Sequence, residues 1–282
     1  MKKNTPKIVH MANLWSLVGY PPKKKEWDIE RKLVAIKEAG FGAITTLLTP
    51  KVGKLAKKHG LGVVGFFSSA KLSEMRGYLE GQRDAGAYDI NVQVGDHDTT
   101  TTKATALAIR LMAEAKKIGV QPTVEIHRDT CTETPEKTYA LADAYRKETG
   151  EILPMTLDFS HISVVKHLAP EDYTKRLIER KNIVQRAPQI HFRPFNGHHC
   201  QVPVTDGKGR LTPEVKDCLA FLEDLFTVWQ KGRFGHEQLY VCPEMGPVAG
   251  GYNFHSLPNS WEEAIVLRKQ IDKVWKKVSK AS

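Results

Sequence analysis

QPTVEIHR (121–128), PEKTYALADAYRK (135–147) and LPMTLDFSH (153–161) follow one another in the middle of the chain, and together they decide the fold. The first and third segments are short and largely apolar, whereas the middle segment has the spacing of an amphipathic helix. Thr134 is placed to cap that helix, and Pro135 occupies its first position. A strand, a helix and a second strand in this order are typical of two parallel strands joined by a crossover helix.

The same alternation runs along the whole sequence. The expected strands are Ile8–Trp15, Phe41–Leu48, Gly62–Ser69, Ala87–Gly95, Gln121–Arg128, Leu153–His161, Pro188–Phe195 and Gln238–Met245. The expected helices cover residues 27–39, 50–59, 72–84, 102–118, 135–147, 171–179, 213–230 and 261–278. Eight such units in 282 residues predict one α/β domain over residues 1–282, a single (β/α)8 TIM barrel. The glycine-rich turn of an open dinucleotide-binding sheet does not follow the first strand.

Composition is that of an ordinary globular protein, with 41% hydrophobic and 26% charged residues. The net charge of +10 is spread along helix faces, so it is only a weak indication of an anionic partner or substrate. The four cysteines form no C-x-x-C pair, and we expect them to be reduced in a cytoplasmic protein. Residues 1–15 lack the apolar run of a secretion signal. We therefore expect no membrane contact and no membrane-spanning segment.

Polar residues end the last four expected strands. Glu125, Asp158, His191 and Glu244 each lie near the carboxyl end of a strand, and apolar residues flank them. In a (β/α)8 barrel these ends form one mouth, where the active site lies. Three carboxylates held together there would repel one another, and a divalent cation is the natural counter-charge. Three oxygen ligands and one imidazole suit Mn²⁺, the first expectation, and also Mg²⁺ or Co²⁺, with Zn²⁺ as a further option.

Other polar residues near the strand ends are candidates for substrate contact. Alternation along the strands puts His127 on the side of Glu125, and Arg193 on the side of His191. The first half of the barrel offers weaker candidates in Asn13, Gln93 and His97.

The ordered set of Glu125, the D-x-x-H pair Asp158 and His161, His191 and Glu244 resembles the xylose isomerase-like barrel superfamily. Its members include sugar isomerases, the D-tagatose 3-epimerase group and inosose dehydratases. The resemblance covers nearly the whole chain. It implies a carbohydrate substrate, a dimer or tetramer, and one divalent metal bound by the four residues already named.

The resemblance also implies roles for individual residues. Glu125 and Glu244 would act as acid and base on opposite sides of the sugar. His161 would contact substrate oxygens, and Arg193 would stabilise an enediolate. The metal would chelate neighbouring hydroxyl and carbonyl oxygens, which acidifies the adjacent C–H. One carboxylate then removes the proton and the other returns it.

This chain also departs from the epimerase pattern. Arg193 follows His191 by only two residues, and Cys131 stands where epimerases often carry a carboxylate. The loop 196–212 is long, and its His198 and His199 are candidates for substrate binding. These departures favour a larger substrate, such as a keto-glycoside or a cyclitol.

Three alternatives remain open from the sequence. The same residues would serve a sugar or cyclitol lyase or dehydratase, including keto-glycoside elimination. An endonuclease IV-like nuclease shares the fold and suits the positive charge. It needs three zinc ions, however, and Asp206 is followed by Gly207 and Lys208 rather than by the expected D-x-H pair. We therefore expect no nucleic-acid partner. A non-catalytic barrel that binds a sugar or a protein would have no need of paired acids.

Overall fold

A closed barrel of eight parallel strands forms the centre of the molecule, in a computed structural model that describes residues 6–22, 24–232 and 236–281. The strands are β1 Lys7–Asn13, β2 Ala43–Thr46, β3 Gly62–Ser69, β4 Asp89–Val94, β5 Gln121–Glu125, β6 Met155–Leu157, β7 Gln189–Phe192 and β8 Gln238–Pro243. Each strand pairs with the next along the chain, and β1 pairs with β8 to close the ring. The predicted (β/α)8 barrel is confirmed.

Helices surround the barrel and cover its outer face. They are α1 Ile29–Glu38, α2 Pro50–Lys58, α3 Met75–Asp84, α4 Thr101–Ile118, α5 Pro135–Thr149, α6 Phe159–Val165, α7 Tyr173–Leu177, α8 Lys181–Arg186, α9 Pro213–Gly232 and α10 Ser260–Ala281. One large apolar core fills the space between sheet and helices. Within the described ranges, no helix combines the length and the apolar character needed to cross a membrane.

Local sequence signals explain where the helices start and stop. Thr134 accepts a hydrogen bond from the backbone N–H of Lys137, which caps α5, and Pro135 begins that helix as predicted. Gly119 and Gly150 end α4 and α5 with φ values of 82° and 77°. This left-handed conformation suits glycine because glycine lacks a Cβ.

The segment after β6 differs from the expectation. A strand was expected to continue to His161, but β6 ends at Leu157 and α6 starts at Phe159. The cause is Asp158, whose side chain accepts a hydrogen bond from the backbone N–H of Ser160 and so caps a helix. Instead of one helix over residues 171–179, a 3-10 turn and two short helices, α7 and α8, lead to β7.

The barrel interior is divided into an apolar half and a polar half one step below the mouth. On β8, β1, β2 and β3 the inward-facing residues form a separate apolar cluster of Cys242, Met11, Ala43 and Val64. On β4 to β7 the residues at the same level are all polar and buried: Asn91, Thr123, Thr156 and Gln189. Polar side chains therefore lie beneath Glu125, Asp158 and His191, whereas Cys242 of the apolar cluster precedes Glu244 on β8.

Candidate metal centre

The four predicted metal ligands meet at the carboxyl end of the barrel. Glu125 ends β5, Asp158 follows β6, His191 lies in β7 and Glu244 follows β8. One ligand atom from each lies within 4.8 Å of all the others. Their exposed fractions are 2%, 0%, 4% and 6%, so the carboxylates are shielded from water. Among the described residues, this is the cluster of metal-ligating side chains that the structure contains.

His191 lies between two of the carboxylates. Its Nδ1 is 2.9 Å from Glu125 Oε1 and 3.5 Å from Glu244 Oε2. Burial lowers the pKa of His191, but the charges of Glu244 and Glu125 outweigh burial and raise it to about 10. Neither ring nitrogen makes a hydrogen bond to the described part of the chain, although both are buried. A buried imidazole that faces carboxylates without hydrogen-bond geometry suits a shared cation between them.

Glu125 is held by two side-chain amides from the neighbouring strand. Asn91 Nδ2 and Gln93 Nε2 each donate a hydrogen bond of 2.9 Å to Glu125 Oε2. Burial raises the pKa of Glu125, but the nearby charge of His191 outweighs it, and the pKa falls to about 2. Glu125 is therefore ionised at neutral pH. Its other oxygen, Oε1, remains on the side of His191.

Asp158 has a different set of partners. Its Oδ1 accepts hydrogen bonds from the backbone N–H of Ser160, at 3.0 Å, and from the Ser160 hydroxyl, at 2.5 Å. Its Oδ2 accepts one from Arg193 Nη2 at 2.7 Å and lies 3.4 Å from His161 Nε2. Burial opposes ionisation of this carboxyl, but Arg193 outweighs burial and holds its pKa well below the usual value.

Glu244 shares Arg193 with Asp158. Arg193 Nη2 donates to Glu244 Oε2 at 2.6 Å, and Asn13 Nδ2 donates to Glu244 Oε1 at 2.8 Å. Burial raises the pKa of Glu244, but the charges of Arg193 and then His191 lower it overall. All three carboxylates of the cluster are thus ionised and oriented by neighbouring side chains.

A cavity of about 380 Å³ opens above the cluster. This volume lies within the range of small-molecule sites. Its lining residues are Asn13, Trp15, Thr45, Thr46, Leu47, Phe66, Asn91, Gln93, Glu125, His127, His191, Arg193, Glu244 and Tyr252. The cavity is thus lined both by acids and amides and by the aromatic rings of Trp15, Phe66 and Tyr252. This combination suits a sugar, which has polar edges and apolar C–H faces.

The aromatic wall depends on close backbone packing. The rings of Trp15 and Tyr252 meet edge to face with their centroids 4.9 Å apart. A Cβ on Gly246 would lie 2.6 Å from both Trp15 Cη2 and Tyr252 Cβ. Gly246 therefore lets both rings approach the backbone after β8.

The loop 196–212 is joined to the loop after β8. Gln201 Nε2 donates to the carbonyls of Gly246, at 3.1 Å, and Tyr252, at 3.0 Å. Gln201 Oε1 accepts from the Gly246 N–H at 2.6 Å. Farther along, the buried carboxylate of Glu263 accepts from the backbone N–H and hydroxyl of Thr205, each at 2.8 Å. These contacts make the long loop a support for the cavity wall.

The predicted substrate-contact residues do not all lie in one place. His127 and Arg193 line the cavity, as do Asn13 and Gln93. His161 is 1% exposed and lies behind His127, with their ring centroids 3.9 Å apart. His198 and His199 are exposed in the loop, and the backbone N–H of each donates a hydrogen bond to Asn196 Oδ1. His97 is also exposed, and its Nδ1 lies 2.6 Å from Asp129 Oδ1.

Several site residues were not predicted. Asn91 lies two residues before Gln93 on β4, and the N-x-Q pattern in an otherwise apolar strand was the available signal. Trp15 was expected to end the first strand, but β1 ends at Asn13 and Trp15 lies in a 3-10 turn, Leu14–Leu17. Tyr252 comes from the loop after β8, where sequence periodicity carries no information about side-chain direction. Only the closed barrel brings these loops together.

The donor set fits a divalent metal. Three ionised carboxylates and one imidazole converge, each carboxylate has at least one oxygen directed into the cluster, and the imidazole nitrogens have no other partner. Asn13, Asn91 and Gln93 orient ligands from behind, as outer partners do in metal sites.

Comparison with solved structures supports the fold, whereas comparison of sequences does not identify a relative. No family model matches the sequence, and no curated protein sequence matches it. Among solved structures, L-ribulose 3-epimerase has a TM-score of 0.65 at 13% identity, covering 98% of this chain and 96% of its own. A xylose isomerase-like TIM barrel protein from Mycobacterium smegmatis in complex with magnesium has a TM-score of 0.53 at 15% identity, covering 96% and 98%.

A third similar structure has a different named activity. AsbF from Bacillus anthracis, described as a probable 3-DHS dehydratase, has a TM-score of 0.56 at 12% identity, covering 93% of this chain and 99% of its own. At such identities the likeness shows the fold alone. This chain therefore has the fold of the xylose isomerase-like barrels.

Proposed function

We propose that this protein is a divalent-metal-dependent sugar isomerase or epimerase that removes a proton next to a carbonyl group. One observation carries the proposal: Glu125, Asp158, His191 and Glu244 converge below a cavity of sugar-binding character. A carbohydrate substrate is also the class named for L-ribulose 3-epimerase, which has the same fold.

The four converging residues would hold one divalent ion, with Mn²⁺ as our first choice and Mg²⁺, Co²⁺ or Zn²⁺ as alternatives. When bound, the ion would polarise the substrate's carbonyl and neighbouring hydroxyl oxygens. Side chains would orient the carboxylates and contact the substrate. Asn13, Asn91 and Gln93 orient the carboxylates, and His127 offers a hydrogen bond from the cavity wall.

Glu125 and Glu244 are the proposed proton-transfer residues. Both line the cavity, and both are ionised, so each can accept a proton from carbon. They come from different strands, and an oxygen of each lies within 3.5 Å of His191 Nδ1. One would remove the proton and keep it, and the other would take up a proton from water and deliver it to the enediolate. Arg193 lies beside Glu244 and would stabilise charge on the enediolate oxygens.

A dehydratase or lyase is the second candidate. The likeness to AsbF, described as a probable 3-DHS dehydratase, favours it. Both reactions begin with the same proton removal and differ in what the enediolate does next. An endonuclease IV-like activity is less well supported, since it needs three metal ions and the described residues contain one ligand cluster.

We further propose that the enzyme acts in the cytoplasm as a dimer or tetramer. The thiols of Cys131, Cys200, Cys218 and Cys242 are unpaired, which suits a reducing compartment. Light scattering coupled to size-exclusion chromatography measures the assembly. A monomeric mass would contradict the oligomer.

Metal binding is the first experiment. We expect one divalent ion per chain by metal analysis and by Mn²⁺ titration calorimetry. His191→Ala and Glu244→Gln should lose most of this binding. Glu114→Gln is the matched control, because Glu114 is 1% exposed and paired with Lys117 at 2.8 Å but lies on α4, outside the site. A wild-type protein that binds no divalent ion would contradict the proposed function.

Solvent exchange is the second experiment. The Mn²⁺-loaded enzyme is incubated in D₂O with a panel of free ketoses and 3-keto-glycosides, and the products are examined by mass spectrometry and NMR. An isomerase or epimerase incorporates deuterium at carbon, whereas a lyase releases an unsaturated product. Glu125→Gln and Glu244→Gln should lower exchange by about 10²- to 10⁴-fold. Turnover without exchange in any substrate would point to a hydride shift instead.

A further inference from the structure

Arg193 contacts two of the four proposed metal ligands at once. A single nitrogen, Nη2, lies 2.7 Å from Asp158 Oδ2 and 2.6 Å from Glu244 Oε2. The side chain is 1% exposed, so water screens these contacts very little. The guanidinium therefore binds the very carboxylates that a metal ion would need.

The remaining donors of Arg193 have no hydrogen-bond partner in the part of the chain that the structure describes. These are Nε and Nη1, which are both buried. The guanidinium carbon lies 4.9 Å from the ring centroid of Tyr252, which stacks against it. Its position thus depends mainly on two carboxylates and one aromatic ring.

The charge of Arg193 balances the charge that a divalent ion would leave on the three carboxylates. Glu125, Asp158 and Glu244 together carry three negative charges, and a divalent ion supplies only two positive ones. Arg193 supplies the third, so ion, guanidinium and carboxylates are together neutral when His191 is an uncharged ligand. A buried cluster with an unbalanced charge is costly, and this balance removes that cost.

We propose that Arg193 is a tethered cation of the metal site, which balances the third carboxylate and competes with the divalent ion for Asp158 and Glu244. The proposal rests on the metal site of the proposed function and assigns to Arg193 the control of metal affinity. Without the ion, Arg193 holds the two carboxylates together. With the ion, its positive charge makes metal binding weaker than the three carboxylates alone would give.

The alternative role is simple orientation. If Arg193 only positioned Asp158 and Glu244, its loss would disorder the ligands and weaken metal binding. The two roles thus predict opposite changes in metal affinity, which can be measured without any substrate.

The experiment compares Arg193→Gln with Arg128→Gln. Arg128 stacks on the same Tyr252 ring, at 4.7 Å, but it is exposed and hydrogen-bonds Cys200 rather than a carboxylate of the cluster. Mn²⁺ affinity is measured by calorimetry on metal-free protein, and melting temperature is measured with and without Mn²⁺. Glutamine keeps an amide donor near the carboxylates but removes the charge.

We expect Arg193→Gln to bind Mn²⁺ about tenfold or more tightly than the wild type, because a like charge beside the ion is gone. Its metal-free form should melt at a lower temperature, and Mn²⁺ should raise that temperature more than in the wild type. Arg128→Gln should stay within about twofold of the wild-type affinity, since water screens an exposed charge.

Equal or weaker Mn²⁺ binding by Arg193→Gln would overturn the proposal while leaving the metal site intact. Failure of both wild type and variant to bind Mn²⁺ would instead remove the proposed function itself. If metal-free Arg193→Gln does not fold, Arg193→Lys decides the matter, because lysine keeps the charge. Wild-type-like affinity in Arg193→Lys supports the proposal, and a tenfold gain there contradicts it.

Discussion

His10 and Asp89 should give the folded protein opposite responses to acid, and both lie away from the cavity. His10 is 7% exposed on β1 and faces α10, where its Nε2 lies 3.7 Å from Asp272 Oδ1. Burial, reinforced by the charge of Arg268, lowers the pKa of His10 from 6.5 to about 4. Asp89 begins β4, and burial raises its pKa from 3.8 to about 6.

The sign of each contribution follows from which state binds the proton first. For His10 the unfolded chain takes up the proton at higher pH than the folded one, so stability falls as the pH drops from 6.5 towards 4. Over the interval from pH 6.5 to 5, about 1.5 pKa units correspond to a loss of about 2 kcal/mol. For Asp89 the folded state takes up the proton first below about pH 6, and the gain by pH 5 is about 1 kcal/mol.

Urea unfolding at pH 6.5 and pH 5.0 of the wild type, His10→Gln and Asp89→Asn measures both contributions. Between these two pH values the stability difference between wild type and His10→Gln should shift by about 2 kcal/mol against the wild type. The difference between wild type and Asp89→Asn should shift by about 1 kcal/mol in favour of the wild type. Other carboxyl groups are common to all three proteins and cancel in the differences. Parallel pH profiles for the three proteins would refute the reasoning.

Three further predictions concern the site. Gly246→Ala places a Cβ 2.6 Å from Trp15 and Tyr252 and should cost about 1–3 kcal/mol in unfolding free energy; an unchanged urea midpoint would show that the rings move freely. Asn91→Leu removes a donor to Glu125 and should weaken Mn²⁺ binding by about 10- to 100-fold in calorimetry. Wild-type affinity there would mean that Gln93 alone suffices. Chelation should lower the melting temperature, since Mn²⁺ at 100 times its Kd adds about 2.7 kcal/mol; equal melting curves would argue against a bound ion.

The barrel was predictable because its signals are local and repeated. Each strand is a short apolar run and each long helix has its own apolar face, so the eight units can be counted without knowing any contact. The segment from Asp158 to Arg186 was the exception. In the sequence, an aspartate at this position is compatible with the last residue of a strand or with a helix cap. The backbone N–H of Ser160, which donates to Asp158, makes it a helix cap in the structure.

The cluster of candidate metal ligands was predictable for a related reason. Barrel topology alone brings the carboxyl ends of strands together, so Glu125, Asp158, His191 and Glu244 needed only to be placed at those ends. What surrounds them was not predictable. Whether His161 reaches the cavity or lies behind His127 depends on side-chain packing within α6. The wall formed by Trp15 and Tyr252 depends on contacts between the segments that follow β1 and β8, and these contacts produce no periodic pattern in the sequence.

The departure of Arg193 from the epimerase pattern has a structural consequence. Arg193 follows His191 by two residues, so its side chain emerges on the same side of the strand. From there it contacts both Asp158 and Glu244. The neutral balance of one divalent ion, one guanidinium and three carboxylates leaves no positive charge over for an anionic group on the substrate. Among the described residues that line the cavity, Arg193 and the two histidines are the only basic side chains. If the proposed ion binds, we therefore expect an uncharged sugar to be preferred over a phosphorylated one, and the panel of substrates for solvent exchange is best begun with neutral compounds.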